Sequence, residues 1–320
     1  MGYKLAGYDV IGNVEIDPRV MKVYEANNHP KYPFLMDVRS FLEIPDDQLP
    51  PELFHIDILD GSPPCSVFST AGAREKGWGK DKVFREGQAK QRLDDLFFYF
   101  IRIAGKLRPR VVVAENVSGL IKGNARGYVN EIFKAFSDAG YDVQLFLLNA
   151  AYMGVPQKRE RTFFIARRRD QRFPKLTLSF SEKPILFGEV RSPHGTPFAN
   201  PEGRMARLSG RRTKDDMDLG DISRRLTGKS TGFGNHFLHD DRVAFTQVAK
   251  SGSSIRFCDG LKASKEDIIA IQTFPQDYNF MDQPVEYICG MSVPPIMMAQ
   301  VAAEIDRQWF RRITHESSKA

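Results

Sequence analysis

Apolar residues recur in two rhythms through the first half of the chain. Asp9–Ile16 is strand-like and ends in acids, and Pro18–Asn27 has helical spacing with Val20, Val23 and Tyr24 apolar. His55–Leu59 reads as a short strand. Leu93–Leu107 is an amphipathic helix, because Leu93, Leu96, Phe97, Phe100, Ile103, Ala104 and Leu107 fall on one face. Val111–Ala114 is an unbroken apolar run, as expected for a strand covered on both sides. Gly127–Ala139 has helical spacing, and Gly140 is placed to end it. Val143–Asn149 and Thr162–Ala166 read as further strands. Such alternation predicts an α/β fold with a mostly parallel sheet.

The rhythm fades near Arg167. From there to Phe257 the chain is rich in Gly, Pro, Ser and Arg, and predicts a smaller, loop-rich unit. Between Asn200 and Cys258 it holds 11 Lys+Arg against 7 Asp+Glu. Regular pattern returns at Ser264–Gln272 and in a final helix, Pro295–Phe310. The expected divisions are 1–169, 170–260 and 261–320.

Composition narrows the class. The 320 residues are 42% hydrophobic and 27% charged, which excludes wholesale disorder. No apolar run reaches the ~18–20 residues of a membrane-spanning helix, and Met1–Asp17 is no secretory signal. Three widely spaced cysteines, Cys65, Cys258 and Cys289, argue against a disulfide framework and for a reduced, cytoplasmic setting. A formal charge of +6 permits a polyanionic partner.

Four segments carry candidate chemistry. Gly61-Ser62-Pro63-Pro64-Cys65 follows a strand directly, where α/β sheets gather reactive groups. Cys65 there is either a nucleophile held by two prolines or a small buried residue at a loop start. Glu115-Asn116-Val117 puts a carboxylate at the end of a buried strand, as an acid/base group or a helix-start acid. In Gln157-Lys158-Arg159-Glu160-Arg161, alternate residues share one face. Two guanidiniums could hold a phosphate or base carbonyl, or the run could be a solvated charged face. Ser66–Arg92 holds four glycines and seven Lys+Arg, suggesting a lid over an anionic substrate or an ordinary loop. Thr227-Gly228-Lys229-Ser230 lacks the first glycine of a phosphate loop. His236–Asp241 has metal-capable side chains without clustered partners, so no metal site is expected.

These segments occur in one order, and the set resembles the DNA cytosine-5 methyltransferases of bacteria and phages. The match runs from VEIDP (14–18) and MDV (36–38) through GSPPCSVFSTAG (61–72), AENVSGL (114–120) and NAAYMGVPQKRERTFFIA (149–166). It continues in IQTFP (271–275) and GMSVPP (290–295). The resemblance implies a Rossmann-like class I S-adenosylmethionine-dependent fold with a target-recognition domain near 170–260. It implies attack by Cys65 on C6 of a flipped cytosine, with Glu115, Arg159 and Arg161 completing the catalytic group. Glu15, Ile16, Asp37, Pro63 and Ser292 would hold S-adenosylmethionine, and Arg92 and Gln157 would contact DNA. The implied setting is a nucleoid-associated monomer acting on double-stranded DNA in a restriction–modification system, with a cognate restriction endonuclease as partner and no membrane.

The family's opening strand and Phe-x-Gly-x-Gly turn have no counterpart in the sequence. Met1–Gly7 resembles the helix just after that turn. The expected consequence is unpaired backbone on both neighbours of a central strand, costing about 1–3 kcal/mol per buried group. A miscalled start is the favoured explanation, over a decayed DNA-binding remnant or a substitute segment. Met291 also stands where the family has Asn. A cytosine-5 methyltransferase of RNA on the same fold is the further alternative.

Overall fold

The computed structural model describes residues 1–63, 95–121, 126–230, 235–250 and 252–311. A short helix α1 (Gly2–Leu5) leads into strand β1 (Gly12–Glu15), helix α2 (Pro18–Asn28) and strand β2 (Tyr32–Leu35). Asp17 caps α2 by accepting the Arg19 amide, Pro18 fills its first turn, and His29 ends it at φ 47°. Helix α3 (Val38–Glu43) is capped in the same way by Asp37. Strand β3 (Ile58–Gly61) starts later than the sequence suggests. The Pro50-Pro51 pair instead winds Pro51–His55 into a 3-10 turn.

Helix α4 (Leu96–Leu107) feeds strand β4 (Val111–Val117), then helix α5 (Arg126–Asp138) and strand β5 (Tyr141–Asn149). Strands β6 (Gln157–Lys158) and β7 (Glu160–Arg168) follow. The larger sheet has the order β3-β4-β7-β5; β3 and β4 are parallel, and β7 runs antiparallel to both β4 and β5. Alternate residues of β4 and β7 serve different cores. Val111, Val113, Phe163 and Ile165 face one cluster, and Val112, Ala114, Phe164 and Ala166 face the other. All eight are fully buried. Helices α4 and α5 close the second cluster.

β1 and β2 form a separate parallel pair. Among the described residues β1 does not pair with β3, so the sheet is split where the sequence predicts a missing strand. Both strands are only half-buried, unlike β4. Side chains bridge the split: Val14 and Leu59 pack on one cluster of Phe41, Leu49, Leu53, Ile103 and Leu107.

Beyond β7 come the short helices α6 (Phe187–Val190), α7 (Arg204–Ser209) and α8 (Leu219–Thr227), and strands β8 (His236–Leu238), β9 (Ala244–Phe245) and β10 (Ser254–Arg256). β8 pairs with β10, and Leu219, Ile222, Phe237 and Ile255 form a small cluster of their own. β9 pairs with β6, which stitches this region to the main body. The chain returns through helices α9 (Lys265–Ile271), α10 (Val285–Met291) and α11 (Pro295–Ile305). Ser264 and Asp267 form a capping box at α9. Val285–Phe310 is apolar and long enough for a membrane span by composition, but 50% of its most apolar window is buried in the protein, and α10 and α11 are separate helices. α11 covers the first cluster, where Trp309 stacks on Phe173 at 5.3 Å.

Candidate active site

The buried strand β4 delivers Glu115 to the carboxyl end of the sheet, where its side chain is only 11% exposed. β7 crosses beside it with Val117 opposite Arg161, which brings the Arg161 guanidinium over the carboxylate. Nε of Arg161 lies 2.7 Å from Oε1 of Glu115, and Nη1 donates to the Glu160 carbonyl at 2.8 Å. Burial pulls the Arg161 pKa below its ordinary value, while the Glu115 charge opposes that shift. The pair is thus an ion pair formed where water is largely excluded.

Asn116 ties this strand end to the next one. Its Nδ2 donates to the Pro63 carbonyl at 3.0 Å, and its Oδ1 accepts the Val117 amide. Thr162 donates its hydroxyl to the Asn116 carbonyl from β7. Pro63, itself buried, stands two residues before Cys65 in the sequence. Cys65 and Arg92 lie outside the described residues. The other two cysteines differ in character. Cys289 is fully buried, and burial, reinforced by Glu286, pushes its thiol up to about 12. Cys258 is exposed.

Gln157 and Arg159 turn inward rather than toward a DNA-facing surface. Gln157 is fully buried; its Nε2 donates to the Ile271 carbonyl and to Oε1 of Gln272, and its Oε1 accepts the Gln247 amide at 2.9 Å. Arg159 donates to the Gln247 carbonyl at 2.9 Å and to the Gly290 carbonyl at 2.8 Å. Burial lowers its pKa to about 9, and Arg161 adds to that shift, yet it stays cationic at neutral pH. Its Nε has no hydrogen-bond partner among the described residues. Gly290 is forced by the same junction. A Cβ there would sit 2.3 Å from the Ala249 nitrogen and the Val248 carbonyl carbon. Sequence reading quoted Gln272 and Gly290 within its last two motifs but gave them no role, and it missed Gln247; their partners lie far along the chain.

Glu15, Ile16 and Asp37, expected to hold the cofactor, lie at the ends of β1 and β2. Glu15 accepts the Asp17 amide at 2.8 Å, and burial raises its carboxyl pKa. Ile16 and Leu35 expose 42% and 53% of their surface beside it in sequence and register. An acid for a diol and apolar side chains for a flat ring fit a nucleoside. Asp37 is already engaged, accepting the Arg39 amide at 2.7 Å and pairing with the Arg39 side chain at 3.2 Å. Ser292 turns its hydroxyl back to the Ile288 carbonyl at 2.7 Å. Asp60, not foreseen as a site residue, accepts the Tyr3 hydroxyl at 2.9 Å. Asp60 is exposed at its surface, yet burial of its carboxyl by the protein packed around it raises the pKa to about 6; the Tyr3 hydrogen bond opposes that shift and Glu115 adds to it.

Two sequence features prove to be local architecture. His239 stacks on Phe257 at 4.1 Å, with Nε2 3.0 Å from the Asp216 carbonyl. Thr227-Gly228-Lys229-Ser230 is the carboxyl end of α8, with Gly228 at φ 71°, and not a strand-to-helix phosphate loop.

The α/β architecture, with a carboxylate–guanidinium pair at the carboxyl end of its larger sheet, is consistent with a class I methyltransferase fold. The chain belongs to the C-5 cytosine-specific DNA methylases, matching that family over residues 1–262. It is therefore a transferase that methylates cytosine in DNA with S-adenosylmethionine as methyl donor. The type II methyltransferase M.NgoPII of Neisseria gonorrhoeae is 29% identical over 343 aligned positions, covering 96% of this chain and 92% of the relative. M1.HphI of Haemophilus parahaemolyticus is 26% identical, covering 95% and 82%. Among solved structures, a DNA modification methyltransferase encoded within an E. coli prophage shares the fold with a TM-score of 0.65 at 20% identity, covering 96% and 94%. Dnmt2 of Spodoptera frugiperda does so at 0.56 and 17%, covering 95% of each chain.

Proposed function

We propose that the reaction runs by covalent activation of a cytosine swung out of the duplex, within a restriction–modification system. The observation that carries this reading is the Arg161–Glu115 pair, tied through Asn116 to Pro63, two residues before Cys65.

The Cys65 thiolate adds to C6 of the ring, forming a C–S bond as the C5=C6 electron pair shifts toward the ring carbonyl and N3. N3 takes up a proton relayed from solvent through the Glu115 carboxyl as the electron pair arrives, and Glu115 hydrogen-bonds the resulting N3–H and takes that proton back when the thiolate leaves. Arg161 orients that carboxylate and offers its remaining donors to the base. The resulting enamine makes C5 nucleophilic. S-adenosylmethionine supplies an electrophilic methyl group. After methylation a base removes the C5 proton, and those electrons restore the double bond as the Cys65 thiolate leaves. Glu15 accepts hydrogen bonds from the ribose hydroxyls, while Ile16 and Leu35 cover the adenine. Pro63 shapes the floor between cofactor and base. Arg92 contributes to backbone binding. Arg159 and Gln157 act as positioning residues, holding the β6–β7 segment in register.

Radiolabelled methyl transfer to mixed-sequence duplex DNA tests this reading. Transfer should vanish in Cys65→Ser, and retained transfer would sink the nucleophile assignment. The same assay on transfer RNA should give little label. Preferential labelling of RNA would replace DNA as the substrate.

A further inference from the structure

Arg39 joins two acids that stand on different elements. Its Nη1 lies 3.2 Å from Oδ2 of Asp37, the residue that caps α3, and its Nη2 lies 2.9 Å from Oδ1 of Asp95, at the start of α4. The Arg39 and Asp37 side chains are each 25% exposed. The Asp95 carboxylate makes no cap to its own helix and is turned to Arg39 instead. Tyr99, in the first turn of α4, backs the bridge: its ring centroid is 5.3 Å from the Arg39 guanidinium and 5.1 Å from that of Arg102. Further along, Phe41 of α3 shares a buried cluster with Ile103 and Leu107 of α4, and Lys106 donates to the Leu42 carbonyl at 3.3 Å. The residue after Tyr99 reaches β3. Phe100 lies so close to Gly61 that a Cβ there would run into its ring. Gly61 sits opposite Ala114 in the β3–β4 register, two residues before Pro63, whose carbonyl accepts Asn116.

We propose that Arg39 is a positioning residue, which fixes the nucleophile segment relative to the cofactor by acting through α4. The inference rests on the reading that Asp37 meets the cofactor and Cys65 attacks the base, and deepens it by naming what holds the two in step. The methyl carbon and C5 must meet at about 3–3.5 Å with their orbitals aligned. Yet β1–β2 carries one reactant and β3–β4 the other, and among the described residues no backbone ladder joins the two pairs. The bridge from Asp37 through Arg39 to Asp95, and from Phe100 to Gly61, supplies a side-chain link in place of that ladder. A guanidinium suits the task, because separate nitrogens of one rigid plane grip two carboxylates at once, whereas an ammonium is a single point charge. Arg39 touches neither reacting atom. It sets where α4 begins, and α4 seats the root of the Pro63–Cys65 segment.

Two variants break the bridge at its α4 end. Asp95→Ser removes the carboxylate but keeps a residue suited to start a helix. Arg39→Lys keeps a cation for Asp37 and loses the fork. In each, single-turnover methyl transfer to duplex DNA at saturating S-adenosylmethionine should fall about 10-fold. Cofactor affinity, read by isothermal titration without DNA, should stay within about two-fold of the parent, because the Asp37 side of the bridge is kept. Amide hydrogen exchange over Ile58–Ser62 should quicken several-fold, while α5 exchanges as before. The combined variant should lose no more than either alone, since both break one link. Lys134→Ala, which removes the exposed Lys134–Asp138 pair on α5, is the control and should change none of the three readouts. Parental transfer and exchange in Asp95→Ser, additive losses in the combined variant, or a loss of cofactor affinity as large as the loss of transfer overturns the inference. Unchanged cofactor affinity in Asp37→Asn, or transfer that survives Cys65→Ser, strikes the underlying reading instead, so the two failures are distinguishable.

Discussion

Two carboxylates stand toward the ends of two strands of opposite character. Glu115 follows the completely buried Val111–Ala114 stretch of β4, and it is matched by a guanidinium at 2.7 Å. Glu15 closes the half-buried β1 and is held by a backbone amide, with burial raising its pKa. The sequence pattern is the same in both places, an apolar run followed by an acid. Under the proposed function the surroundings divide the labour: Glu115, held by Arg161, serves the chemistry, while Glu15 receives the cofactor.

The largest effects should fall on the β4 side. Glu115→Gln should cut methyl transfer by about 10²–10⁴-fold with the fold intact. Arg161→Ala should do at least as much and also cost about 3–5 kcal/mol in urea unfolding, because it strands a buried carboxylate. Transfer at the parent rate in either variant would remove the pair from the mechanism. Core truncation should separate the two regions next. Phe164→Ala should cost about 3–5 kcal/mol, whereas Val14→Ala on the half-buried strand should cost only about 1 kcal/mol. Equal losses in calorimetry would show that the split sheet is as tightly packed as the intact one.

Glu15→Gln should weaken S-adenosylmethionine about 10-fold by isothermal titration, with DNA affinity unchanged. A loss of DNA binding instead would move Glu15 out of the cofactor site. The smallest effect concerns Asp60, whose folded carboxyl is raised to about 6. The folded protein then holds a proton that the unfolded chain has released. The contribution to stability is present below the unfolded value near 4 and is lost as pH rises through 6. Asp60→Asn should flatten that part of the stability–pH curve; an unchanged curve would show that Asp60 titrates normally.

Local signals were the legible ones. The apolar runs located β4, β5 and β7, and the helical faces located α4 and α5 to within a few residues. The acid after each strand pointed to Glu15 and Glu115. α8 was legible in principle, through Asp218 as cap, Leu219 and Ile222 three apart, and Gly228 as stop, but it is short and its surroundings are irregular. The inward turn of Gln157 was not legible. Alternation puts Gln157, Arg159 and Arg161 on one face, and nothing local says that Gln247, Gln272 and Gly290 will arrive there from about 90 to 130 residues away. A glutamine bonded to distant backbone and to a distant side chain looks, in sequence, like a glutamine waiting for a ligand.

Gly290 gives the junction between recognition region and catalytic sheet its tolerance. Its hydrogen atom is the spacer between α10 and the Val248–Ala249 backbone, and its carbonyl is one of the two anchors of Arg159. A methyl group at that point would behave as a wedge driven into a hinge-less joint. Because peptide backbone lines the far side, the joint could relieve it only by parting. The seating of the Val248–Ala249 segment against α10 and Arg159 is thus set by the absence of a single carbon atom.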